Sequence, residues 1–306
     1  MTSGGRGADW PRRMVRAISS LASPTAAART ATLPVAGDPR RTPTHAWGRR
    51  LLRALGRREV WQGIAGVAIV LAIWQIASSL RLPMFTFIPT PVQIGRSLVD
   101  VAQTRQYWQS WYVSGTRVFL GYAIGVGLGV PLGLAMGISR SFFGTAFPVI
   151  ELLRPIPPLA WIPLSILFWP TIEQTVVSII FLGAFFTVVI NVLGGVEAID
   201  VNYRRAALSM GARPWHIFWR VVLPATAPSI FTGMAVGMGL TWEIVVAAEM
   251  VASIQAGLGF MMWQSYVGGS IALIIVAMIS IGLAGLICSS FIWALGRRAT
   301  PWRRRV

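Results

Sequence analysis

Between residues 60 and 295 the chain alternates long apolar runs with short polar breaks, and the runs have the length of bilayer crossings. A transmembrane helix needs about 20 predominantly apolar residues. Six stretches meet that requirement, at roughly 60–80, 114–138, 146–169, 174–195, 228–251 and 271–295. One break stands apart: residues 205–224 read RAALSMGARPWHIFWRVVLP, too cationic and too rich in tryptophan to span lipid. Within it Gly211 suits the stop of a short helix over 203–210, and Pro214 the first turn of another. Trp215, Phe218, Trp219 and Val222 then recur at helical spacing on one face while His216 and Arg220 share another. The pattern predicts an amphipathic helix lying across the membrane surface, serving either as a lipid anchor or as a docking face for a soluble partner.

The charge distribution orients the spans. Every one of the 27 basic residues other than the two histidines is arginine. Twelve precede the first run, Arg140 falls between the second and third, Arg204, Arg205, Arg213 and Arg220 fall between the fourth and fifth, and five follow the sixth. By the positive-inside rule that face is cytoplasmic, so both termini and the 203–224 segment face the cytoplasm. A hydrophobic content of 55% with 12% charged residues describes a polytopic membrane protein, not a basic soluble domain, and the net charge of +17 therefore does not indicate a nucleic-acid partner. Residues 1–58, arginine-rich with only Asp9 and Asp38 as acids, are expected to be a disordered basic tail. Arg16 and neighbouring serines break the apolar core that a signal peptide would need. Residues 59–112 hold the first span and a periplasmic segment, 113–296 the remaining spans, and 297–306 a basic C-terminal tail. The single cysteine, Cys288, lies in an apolar run and reads as a core thiol, and no cluster suggests a metal site.

Local features add detail. Glycines at 121, 125, 129, 133 and 137 recur every fourth residue, a spacing that lets another helix backbone approach closely, and Pro131 is placed to kink the same run. Ionisable groups inside spans are costly and normally face protein or a watery cavity. Glu151 and Arg154, three residues apart, share a helix face as either a self-neutralising pair or part of a pathway, and Glu243 and Glu249 in the fifth span are further pathway candidates. The third span continues LLRPIPPLAWIP, with Pro155, Pro157, Pro158 and Pro163 around Trp161. An unbroken helix is impossible there, and irregular backbone at membrane depth points to a pathway or gate near 155–163.

The 205–224 segment resembles the EAA loop of bacterial ABC-importer permeases, whose pattern is Glu-Ala-Ala, three residues, Gly, nine residues, Ile-x-Leu-Pro. Here Ala206 and Ala207 are followed after three residues by Gly211 and after nine more by Val221, Val222, Leu223 and Pro224, with Arg205 in place of the glutamate. The stretches FIPTPVQIGRSL, RVFLGYAIGVGLGVPLGLAMG, ELLRPIPPLAWIPLSILFW, VLPATAPSIFTGM and VVAAEMV look, in order, like those of the nitrate, sulfonate, taurine and bicarbonate importers. In that subgroup the position of Glu243 is usually apolar. The resemblance implies an all-α type I permease fold with six transmembrane helices in the bacterial inner membrane, assembled as two permease copies with two ATPase subunits and a periplasmic substrate-binding protein. It implies that Arg205, Ala206, Ala207, Gly211, Trp215, Phe218, Trp219, Leu223 and Pro224 couple to the ATPase and that a small anion is imported. The chain has no lysine and so no P-loop; ATP is used by the partner, no cofactor is expected here, and the chain is not an enzyme. A proton-coupled secondary transporter is the rival reading, since Glu243 and Glu249 could carry protons, but no convincing repeat relates the two halves and the 203–224 loop would have no role.

Overall fold

The computed structural model describes residues 58–80, 87–251 and 256–302; the tail predicted for 1–58 lies outside them except for Arg58, as do residues 303–306. The helical bundle belongs to the unit Gly63–Val306. Every element among the described residues is helical. In order they are α1 (Arg58–Ser79), α2 (Pro91–Ala102), α3 (Arg105–Ile138), α4 (Arg140–Leu153), a 3-10 turn (Pro158–Trp161), α5 (Ile162–Phe168), α6 (Ile172–Glu197), α7 (Val201–Ser209), α8 (Pro214–Ile217), a π turn (Phe218–Val222), α9 (Leu223–Val251), α10 (Leu258–Val267) and α11 (Ile271–Ala299). Among the described residues five helices are long and apolar enough to cross a membrane, and a sixth crossing results if the bent pair 140–153 and 158–168 counts as one.

The third span, expected over 146–169 with its helix interrupted around 155–163, is broken there: α4 and the segment 158–168 meet at 89°. Pro155, Pro157 and Pro158 have no N–H to continue the ladder, Pro157 is extended at φ −56°, ψ 135°, and the chain restarts only when Ala160 N–H reaches the Pro157 carbonyl at 2.9 Å. The fifth span is longer than expected because the predicted surface helix is not separate from it. Residues 214–251 form one 38-residue helical rod, passing through the π turn. Pro224 cannot donate to the Arg220 carbonyl, and Leu223 N–H instead reaches back five residues to Phe218, which widens the coil without ending it.

The centre of the bundle is α6, with α3 against one side and α9 against another. The contact with α3 is built on the glycine ladder. A Cβ on Gly121 would stand 2.8 Å from the Val177 carbonyl and from Ile180 Cβ, one on Gly125 2.7 Å from Ala184 Cβ, and one on Gly133 2.8 Å from the Val189 carbonyl and Val192 Cβ. Ile180, Ala184, Val188 and Val192, four residues apart and fully buried, thus seat directly against the α3 backbone. Gly233 of α9 meets α6 in the same way, 2.7 Å from Asn191 Cβ. From α9 itself, Trp242 and Val245 continue the core toward Ala284 of α11.

At the end of the bundle away from α7, one buried cation joins several helices. Arg117 of α3 is 3% exposed. Its Nη1 donates to Glu249 Oε1 at 2.6 Å and to the Ala256 carbonyl at 2.8 Å, its Nε donates to Glu173 Oε2 at 2.7 Å, and its Nη2 pairs with Glu173 Oε1. Glu249 also accepts from Ser114 Oγ at 2.8 Å and from Gly259 N–H at 2.8 Å, and Leu258 N–H donates to Ser114 Oγ at 2.9 Å. The group ties α3, α6 and α9 to the start of α10. Gly257 sits over the Glu249 carboxylate at φ +132°, a conformation open to glycine and closed to most L side chains.

Two predictions follow from this packing. Gly121→Ala drives a methyl into α6 backbone and should lower stability by about 1–3 kcal/mol, whereas Gly127→Ala, with nothing within 4 Å, should be neutral or slightly stabilising; unfolding in mixed micelles followed by circular dichroism separates the two. Arg117→Met strands the Glu249 carboxylate and should cost about 3–5 kcal/mol. Glu173→Gln, at the rim with its side chain 61% exposed, should cost no more than about 1 kcal/mol. Equal losses for the two variants in the same unfolding assay would contradict the central place given to the Arg117–Glu249 pair.

Candidate functional site

Two regions gather the residues singled out in the sequence: the hairpin of α7 and α8, and a cavity at the bend between α4 and α5.

The hairpin is shaped by its caps. Asp200 Oδ1 accepts from Asn202 N–H at 2.9 Å and starts α7. The helix ends in a Schellman motif: Gly211 N–H reaches the Leu208 carbonyl at 2.9 Å and Ala212 N–H the Ala207 carbonyl at 3.0 Å. Gly211 holds φ +80°, and a Cβ there would meet nothing within 4 Å, so backbone conformation and not space requires glycine. Pro214 then opens α8 at its first turn, with Arg213 extended before it.

The side chains of the hairpin divide into an inner and an outer set. Ala207 and Ile217 are buried, and Phe218, Val222 and Leu223 pack against Leu134, Val188 and Val192 of the bundle. Pro224 is half-buried in the rod. Arg205 and Ala206 are exposed, as are Trp215 and Trp219, whose rings meet edge to face at 5.4 Å. The aromatic face predicted as Trp215, Phe218 and Trp219 is therefore narrower than expected: Phe218 touches Trp219 at 5.2 Å but turns toward the core, because three residues from Trp215 carry it around the helix toward α3 and α6. Arg204, Arg205, Arg213 and Arg220 are all exposed and give the aromatic pair a cationic surround, and His216 is exposed beside them. Between α7 and α8 lies a groove of about 210 Å³, floored by Ile217, Phe218 and Val222 and flanked by Arg204 and Leu208.

The second region is a cavity of about 520 Å³. The bend supplies Arg154, Pro157 and Pro158; α6 supplies Gly183, Thr187 and Asn191, one turn apart on one face; α9 supplies Leu240, Glu243, Ile244 and Ala247. Arg154 pairs with Glu151 at 3.7 Å, and both side chains are about half exposed. Thr187 Oγ1 donates to the Gly183 carbonyl and Asn191 Nδ2 to the Thr187 carbonyl, each at 2.8 Å.

Of the pathway candidates, Arg154, Pro157, Pro158 and Glu243 thus come together, while Glu151 and Pro155 lie beside the cavity without lining it. Trp161 packs against the main core and lines a separate cavity of about 400 Å³ with Phe168 and Trp169. Glu249 is 1% exposed, engaged by Arg117, and is absent from this cavity. Thr187 and Asn191 were not anticipated; their four-residue spacing on the α6 face that also carries Gly183 is the signal that marks them. No group of three or more His, Cys, Asp or Glu side chains that could hold a metal occurs among the described residues.

Comparison with known proteins agrees with this architecture. The chain is 34% identical over 254 residues to the taurine transport system permease protein TauC of Escherichia coli, covering 81% of this chain and 92% of that one. It is 31% identical over 271 residues to the nitrate import permease protein NrtB of Leptolyngbya laminosa, covering 86% and 95%. It is 33% identical over 243 residues to the bicarbonate transport system permease protein CmpB of Synechococcus elongatus, covering 76% and 87%. Among solved structures, a chain of a bacterial ABC transporter involved in the import of the acidic polysaccharide alginate shares the fold, with a TM-score of 0.54 at 14% identity over 79% of this chain and 99% of that chain. Residues 125–305 match the family model for the binding-protein-dependent transport system inner membrane component. The glycine-stopped hairpin, the multi-pass helical bundle and this match together place the chain in that family, as a permease subunit of an ABC importer and not an enzyme.

Proposed function

We propose that this permease forms part of the pathway for a small solute bearing an anionic group, received from a periplasmic binding protein and driven by a separate ATPase seated on residues 201–224. The relatives whose names specify taurine, nitrate and bicarbonate support the substrate class. The arginine distribution supports a cytoplasmic hairpin and cytoplasmic termini. A second copy of the chain is the natural cover for the cavity: Arg154 and Glu243 stand exposed at membrane depth in a single chain, where charged groups require a protein or aqueous surround.

One observation carries the coupling role. The exposed pair Trp215 and Trp219 and the cavity residue Glu243 belong to the same uninterrupted rod, residues 214–251. A displacement of the hairpin by ATPase closure is then transmitted to the cavity wall without passing through a flexible joint. A proton-coupled carrier would leave the hairpin without a task, and one of its two candidate proton sites, Glu249, is held in a buried ion pair.

Replacing Gly211 tests the role of the hairpin. Valine is strained at φ +80°, and its Cβ would meet nothing within 4 Å, so Gly211→Val should perturb the hairpin backbone and leave the bundle intact. Uptake is expected to fall at least tenfold, with loss of the co-purifying ATPase and unchanged permease in the membrane fraction. Gly211→Asn, which tolerates the left-handed region better, should retain much of both. Full uptake and ATPase association in the valine variant would remove the hairpin from the coupling path.

A further inference from the structure

On the face of α6 turned away from the cavity, a groove of about 740 Å³ runs between α3 and α6. Phe186 lines the cavity and Val177 the groove, and at about 100° per residue the two stand about 180° apart around the helix. A second copy covering the cavity therefore leaves the groove on the lipid side. The glycine ladder sets Gly121 against Ile180 and Gly125 against Ala184, so the two helices run parallel, and Tyr112 and Thr116 fall at the Glu173 end of the groove. From there Leu120, Ile124 and Leu128, each four residues on and each exposed, continue along α3 opposite Val177 and Phe181 of α6. At 1.5 Å per residue the run from Thr116 to Leu128 is about 18 Å long, and one leaflet is half of a hydrocarbon core of about 30 Å. The groove is thus polar at one end and apolar over the reach of one acyl chain.

The polar end carries an unbalanced charge. Arg117 holds two carboxylates, Glu173 and Glu249, which leaves one more negative than positive group at that centre. The Glu249 oxygens are engaged by Arg117, Ser114 and Gly259 inside the bundle. Glu173 gives one site on each oxygen to Arg117 and, of about four acceptor sites on a carboxylate, keeps about two. Its side chain is 61% exposed against 3% for Arg117, so the groove mouth presents carboxylate oxygen and not guanidinium. An ammonium group, with three donors and a positive charge, complements that oxygen. Tyr112 and Gln174, exposed at the same end, carry an O–H and an amide NH2 able to donate to a phosphate, and Tyr112 and Trp169 are of the residue types that settle at headgroup level. We propose that this groove holds a phospholipid whose headgroup ends in a primary ammonium: an acyl chain lies along Leu120, Ile124 and Leu128, the ammonium group sits on Glu173, and the phosphate meets Tyr112 and Gln174. The proposal takes from the permease reading only the second copy at the cavity, and its readout, bound lipid, is independent of uptake.

The test uses the full-length permease with its ATPase, reconstituted in nanodiscs of equal parts phosphatidylethanolamine, phosphatidylcholine and phosphatidylglycerol. The complex is then extracted in mild detergent and washed, and the lipid still bound is counted by mass spectrometry. The wild type is expected to keep phosphatidylethanolamine at least about fivefold over each of the other two. Glu173→Gln should bring the three within about twofold of one another, since the amide removes the charge and keeps the shape. Ile124→Trp, which fills the apolar part, should lower bound phosphatidylethanolamine at least about fivefold. Leu286→Trp, on an exposed face of α11, should leave it unchanged. If Glu173→Gln does not assemble, the wild-type headgroup order and Ile124→Trp decide the matter. Equal retention of phosphatidylcholine or phosphatidylglycerol by the wild type overturns the proposal and makes the groove a place for ordinary boundary lipid. An unchanged preference in Glu173→Gln overturns it as well. A wild type that keeps none of the three overturns it too, and cross-linking of Leu128→Cys to a second copy, in a Cys288→Ala background, would then give the groove to that copy. None of these failures touches the coupling role of the hairpin, which the Gly211 variants test separately.

Discussion

A guanidinium placed in a bilayer-spanning helix cannot be left to water, and the satisfaction of Arg117 organises one end of this bundle. Four of its five N–H groups reach Glu173, Glu249 and the Ala256 carbonyl. These partners come from α6, α9 and the segment leading into α10, so three helices and a loop share one centre. Glu249 closes the arrangement by also taking Ser114 Oγ and Gly259 N–H. Removing Arg117 or Glu249 leaves the other buried and unpaired, whereas Glu173 meets the group from its exposed rim.

The other end of the bundle is organised by apolar contact. The glycines of α3 let the branched side chains of α6 come within backbone reach, and Phe218, Val222 and Leu223 carry the same packing into the base of the hairpin. With α6 held on two sides, α9 is the helix that joins both specialised regions. It bears the hairpin at its start, Glu243 on the cavity wall, and Glu249 in the ionic centre. Along α9 the cavity wall thus lies between the hairpin and the ionic centre at Arg117.

Much of this was legible in the chain itself. The every-fourth glycine pattern, the proline cluster and the Gly211–Pro214 stop and start each produced the local structure that backbone chemistry demands. The 89° angle of the bend was not readable, because prolines specify that a helix breaks and not where its continuation points. Grouping Glu249 with Glu243 was an error of periodicity: six residues at about 100° each set them about 120° apart around a helix, on different faces. Arg117, an arginine inside an apolar run, already called for a carboxylate at the matching depth. Glu249, near the far end of an oppositely running span, answers that requirement. The inward turn of Phe218 depended on the bundle to which α8 is fused, and no reading of the hairpin by itself contains that information.

The π turn at Phe218–Val222 has a consequence in angular terms. A helix that houses one extra residue without ending rotates everything downstream by about 100°, since 3.6 residues make a turn. Pro224, by denying Arg220 its usual donor, sets this phase between the hairpin and the span. Trp215 and Trp219 can therefore look outward from the bundle while Glu243, on the same rod, looks into the cavity. A single missing N–H acts as the key that indexes one working face of the helix against the other.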